Sequence, residues 1–77
     1  MTTAEDIKKH LQEVPFKPFR LHLTDGRTFD VRHPDFLFVL KSRVIIGLPD
    51  RDELTIPDRA EFVSLLHVVS IEELQAA

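Results

Sequence analysis

The chain contains no cysteine, no tryptophan and no tyrosine, and two of its 77 residues are glycine. Without cysteine there is no disulfide framework, no thiolate metal site and no thiol nucleophile. Gly26 and Gly47 are isolated, so neither a collagen repeat nor a Gly-rich phosphate loop is available. No apolar run approaches the roughly 18–20 residues that span a bilayer. Residues 1–14 carry Glu5 and Asp6 and lack the apolar stretch of a signal peptide, so a cytoplasmic location without membrane contact is expected. The formal charge of −3 creates no overall demand for a nucleic-acid partner.

What is present is ordinary for a folded chain: 43% hydrophobic and 30% charged residues. The length fits a single domain over 1–77. Below about 80 residues one core supplies only a few kcal/mol of net stability. Small domains supplement it with disulfides, metals or self-association. With disulfides excluded, self-association is the expected supplement.

The first segment reads as a helix over 2–14. Thr2 with Glu5, or Thr3 with Asp6, has capping-box spacing. Ala4, Ile7, Leu11 and Val14 form one narrow apolar stripe, and Pro15 ends the helix. Two prolines and two phenylalanines in 15–19 make an extended connector. A hairpin follows, with strands over 19–23 and 27–33 around Asp25 and Gly26. A two-residue loop would pair Leu21 with Asp30 and mix apolar with charged side chains. A three-residue loop pairs Leu21 with Phe29 and Phe19 with Val31, which leaves one face apolar. The spacing therefore predicts the longer loop, with Gly26 left-handed in a bulge. The polar face then sets Arg20 opposite Asp30 and His22 opposite Thr28.

Residues 36–40 and 44–48 are apolar on both faces and read as a second hairpin. One face meets the core, and the other needs a cover. Residues 49–61 are polar, contain two prolines and read as a long loop, with 54–56 as a short edge strand inside it. Residues 62–67 fit either a strand or a helical turn, and 68–72 fit a strand. The expected fold class is mainly β (α+β), an N-terminal helix followed by a small, strongly bent, antiparallel five-stranded barrel over 19–72.

Charge divides unevenly. Residues 1–48 hold eight Lys/Arg against six Asp/Glu, whereas 49–77 hold two against seven.

The helix followed by F-R-L-H-L-T-D-G-R-T-F-D-V resembles the first motif of Sm-like small β-barrels. The late L-L-H-V-V-S-I-E is similar to the helical turn and last strand that close SH3-like barrels. The Sm family's second motif, a basic residue with glycine in the last hairpin, is missing: Gly47 lies too early and follows Ile46. P-F-K-P-F-R, D-G-R and R-H-P, with S-L-L-H-V-V-S-I-E, resemble a group of short bacterial proteins sharing a P-F-x-P-F-R, D-G-R and R-H-P pattern. That resemblance spans the chain and implies a bacterial source but no activity.

His10, His22, His33 and His67 show no H-x-H or H-x-x-x-H spacing. Strand parity sends His22 to the polar face and His33 to the apolar side, so no metal and no cofactor are expected. His33, before Pro34, reads as a corner residue with local hydrogen bonds. Ser42, Ser64 and Ser70 lack an elbow motif, and the carboxylates Asp50, Asp52 and Glu53 lie in the polar loop; no catalytic residues are expected. Two binding surfaces compete. Lys17, Arg20, Arg27 and Arg32 form a basic side of the first hairpin, a face for RNA in the Sm-like alternative. The surplus apolar surface of the second hairpin offers Phe36, Phe38, Leu40, Val44 and Ile46, or the opposite parity, as an interface. Its partner would be a second copy or another protein. The sequence favours this reading: a non-catalytic protein-interaction or self-assembly module.

Overall fold

The computed structural model describes residues 3–49 and 56–74. Helix α1 (Ala4–Gln12) is shorter than 2–14 at both ends. Thr3 caps it: its side chain accepts from the Asp6 backbone N–H, and the Asp6 carboxylate accepts from the Thr3 backbone N–H at 3.0 Å. This capping box satisfies two of the donors a helix start leaves open. Glu13 is already extended and ends the helix before Pro15.

Among the described residues six strands follow: β1 (Phe19–Leu23), β2 (Thr28–Val31), β3 (Leu37–Val39), β4 (Arg43–Pro49), β5 (Pro57–Ser64) and β6 (Val68–Glu73). They form two three-stranded antiparallel sheets, β2-β1-β6 and β3-β4-β5. This corrects the closed five-stranded barrel. The apolar run 36–40 does not continue the first hairpin, because Pro34 cannot donate to a ladder and its segment turns into a 3-10 turn, Pro34–Phe36. A second 3-10 turn, Leu65–His67, carries the chain from β5 back to β6. Each turn is a corner between the sheets.

The first hairpin adopts the three-residue loop. Phe19 pairs with Val31, Arg20 with Asp30, Leu21 with Phe29 and His22 with Thr28. Gly26 has φ +89°, a conformation L side chains rarely adopt, and its N–H donates to the Leu23 carbonyl at 3.1 Å. The first and last strands lie side by side, since β6 pairs with the other edge of β1 and sets Glu73 opposite Phe19.

The polar loop expected over 49–61 is overturned from residue 57 onward. The eight-residue β5, polar in its first half, pairs seven of its residues with β4. Its early residues are exposed, so it lacks the apolar signature by which a strand is read. Of the edge strand expected over 54–56, residues 54 and 55 lie outside the described residues, and Ile56 is an exposed bend.

The core lies between the sheets. Ile7, Phe19, Leu21, Val31, Val44 and Ile46 are fully buried, with Leu37, Val63 and Val68 packed among them. α1 contributes Ile7 to this cluster and lays Leu11 against it.

Candidate interaction face

β4 settles which side of the second hairpin faces inward. Val44 pairs with Val63, and both are buried. Ile46 pairs with Leu37, also buried. Side chains alternate along a strand, so the neighbouring positions point out. Phe38 pairs with Ile45, and Ile45 pairs with Phe62, so these three stand in a row across the outer face of β3, β4 and β5. Phe38 is 65% exposed and Phe62 63%. Of the five interface candidates, Val44, Ile46 and Phe36 therefore belong to the core, Phe36 through the first corner turn. Phe38 and Leu40 stay outside, with Leu40 beside a groove between β3 and α1. Ile45 and Phe62 complete the row. Ile45 was implicit in the opposite parity. Phe62 emerged only with the β4–β5 register.

The outer face has two unlike ends. Toward the β3–β4 turn stand Arg43, paired with Ser64, and the exposed Leu66 of the second corner. Toward the other end the small residues Gly47 and Ala60 pair, leaving a hollow of about 390 Å³. Phe38 and Ile45 line it, together with the charged residues Asp35, Asp58 and Arg59. Gly47 is required here: a Cβ would meet the Pro57 ring at 2.9 Å.

The basic residues of the first hairpin do not form one face. Arg20 Nε donates to Asp30 Oδ1 at 2.6 Å, and its Nη2 donates to Asp30 Oδ2 at 3.1 Å. Arg32 joins the same carboxylate at 3.4 Å. Arg27 lies over the Phe29 ring and donates to Asp25 at 2.7 Å. Lys17 approaches Glu13 at 3.9 Å, away from the hairpin's polar face. Each of the four cations thus has a carboxylate beside it. The Arg20 guanidinium, donating two hydrogen bonds, holds the Asp30 carboxyl below the usual carboxylate range. Glu72 Oε1 and His22 Nε2 lie 2.8 Å apart on the same face. A phosphate chain would have to displace carboxylates from this ladder.

The other histidines serve the corners and the helix. The Asp35 N–H donates to His33 Nδ1 at 3.2 Å, the local bond expected of a corner residue. His33 is exposed rather than on the apolar side, because β2 ends at Val31 and strand parity no longer applies. His67 Nδ1 lies 3.2 Å from the Thr24 hydroxyl, and its carbonyl accepts from the Thr24 N–H. This pair pins the first turn to the second corner. His10, Glu13 and Glu73 converge, with one ligand atom from each lying within 4.8 Å of the others. The sequence reading missed this cluster, although His10 and Glu13 at i, i+3 are its legible half.

Among the described residues, no helix is long and apolar enough to cross a membrane. No family model matches the chain, and neither the curated proteins nor the solved structures offer a match.

Proposed function

We propose that this chain is a non-catalytic interaction module that assembles with a second copy of itself through the outer face of β3, β4 and β5. The observation that carries the reading is the outward row Phe38, Ile45 and Phe62, its two phenylalanines exposed and Ile45 half-buried between them. Monomeric proteins seldom leave contiguous apolar surface of this kind without a partner. A second copy fits because the face is complementary to itself. A two-fold axis along that row sets the Arg43 end of one protomer over the Gly47 and Ala60 hollow of its partner. It also brings Arg43 toward the partner's Asp35 and Asp58. Three strands about 4.8 Å apart make a small face, so the expected dimer is micromolar in affinity.

The finer fold reading belongs to the same proposal. In that reading β2 and β3 correspond to one strand broken at Pro34, in the manner of SH3-like and Sm-like folds; the two corner turns linking the sheets support it. In the Sm-like alternative Lys17, Arg20, Arg27 and Arg32 would bind RNA, but their carboxylate partners favour assembly over that alternative.

Light scattering behind a sizing column, at low and high salt, tests the reading. At about 100 µM the wild type is expected to show the mass of a dimer in both salts. Phe62→Asp, at an exposed position, is expected to be a folded monomer by circular dichroism. A wild-type monomer in both salts overturns the proposal. So does a dimer that Phe62→Asp leaves intact. Tight binding of a single-stranded RNA oligonucleotide that weakens steeply with salt would favour the Sm-like alternative instead.

A further inference from the structure

We propose that His10, Glu13 and Glu73 form a divalent-metal site, of the zinc class, that clips α1 to β6. One imidazole and two carboxylates converge there from opposite ends of the chain, with their ligand atoms within 4.8 Å of one another. Phe19 organises the cluster. The His10 ring packs on the Phe19 ring at 5.3 Å, and Glu73 is the cross-strand partner of Phe19. Phe19 is fully buried, so the core fixes the backbone of the elements that carry both groups, while the His10 ring is half-buried and the Glu73 side chain exposed. His10 and Glu13 lie one helical turn apart and share a side of the helix end.

The charges call for a cation. Two carboxylates face one another, and the nearest compensating group is Lys17 Nζ at 3.9 Å from Glu13. Among the described residues, nothing hydrogen-bonds to the Glu73 carboxylate or the His10 imidazole. The donor set selects the metal class. An imidazole with carboxylates suits zinc and its first-row neighbours, whereas magnesium and calcium take oxygen ligands alone. Tetrahedral zinc with bonds of about 2.0–2.1 Å sets its donors roughly 3.4 Å apart. The cluster must therefore contract by up to about 1.4 Å, through rotation of the two glutamate side chains, and water completes the fourth position. The clip ties residue 10 to residue 73 in a domain that has no cysteine to cross-link. It is the second of the supplements open to so small a core.

The test uses tag-free full-length protein, stripped with a chelator and titrated with zinc chloride while thermal unfolding is followed. One saturating equivalent is expected. At zinc about a hundredfold above its dissociation constant the midpoint should rise by roughly 10 °C or more. Cobalt in place of zinc reports the same site by its visible absorption. His10→Ala and Glu73→Gln should abolish both signals, whereas His33→Ala should leave them unchanged. No saturable shift, or a shift that survives in His10→Ala, overturns the proposal. Repeating the titration on Phe62→Asp separates this site from self-assembly, since metal binding does not require the dimer.

Discussion

At the scale of single residues, inside and outside are decided by one step along a strand. Ile46 is fully buried, whereas its neighbour Ile45 stands on the outer face. Ile46→Ala removes buried methyl groups and leaves a cavity, a change that costs about 2–5 kcal/mol. In a domain of this size that is most of the net stability. We expect the variant to be largely unfolded, or to unfold at much lower urea than the wild type. Phe38→Ala, at a 65% exposed position, should leave the urea midpoint of the monomer close to that of the wild type. If the two variants lost the same stability, the assignment of inner and outer faces would be wrong. Neither parity is legible from the sequence, because 36–40 and 44–48 are apolar at every position apart from Gly47. Gly47 shows the same limit: it is glycine because Pro57, ten positions on, occupies the space of its Cβ.

At the scale of elements, legibility follows how local the determining contacts are. The capping box of α1 and the loop of the first hairpin were readable because their partners lie three and ten residues apart. β5 was not, because only its pairing with β4 makes a strand of a polar, proline-led segment. Three carboxyls, one in α1, one in the first hairpin's turn and one on β2, carry a pH signature. Arg20 holds Asp30 low, the Arg27 backbone N–H holds Asp25 low, and the Thr3 backbone N–H holds Asp6 low. A carboxyl whose folded pKa lies below its unfolded value takes up a proton first in the unfolded chain. Its contribution is therefore complete above the unfolded pKa of about 4 and fades as pH falls through the lower folded value. Urea midpoints should hold near neutrality and fall from about pH 5 downward. Asp30→Asn should flatten that fall relative to the wild type. An unchanged slope in Asp30→Asn would mean that the Arg20 pair contributes nothing to the acid limb.

At the scale of the whole molecule, a small core and an uncovered apolar sheet face act together. Unfolding of a dimer is linked to subunit concentration, whereas unfolding of a monomer is not. The thermal midpoint of the wild type should therefore rise with protein concentration. The midpoint of Phe62→Asp should stay constant over the same range. A concentration-independent midpoint in the wild type would leave the outer face without a role in stability. The metal site lies on α1 and β6, elements separate from β3, β4 and β5, so the two supplements should add.

The sequence by itself determined the presence of the helix, though not which of Thr2 and Thr3 caps it, the register of the first hairpin and the predominance of β structure. These rest on contacts between near neighbours and on turn residues with few conformational choices. The tertiary structure decided the rest. It divided the strands into two sheets at Pro34 and at Ser64, drew β5 out of a polar segment and chose the outward parity of the second hairpin. It also brought Glu73 to His10 and gave each cation of the first hairpin a carboxylate partner. Such choices depend on pairings between distant segments and on burial, which a one-dimensional pattern of apolar and polar residues does not encode.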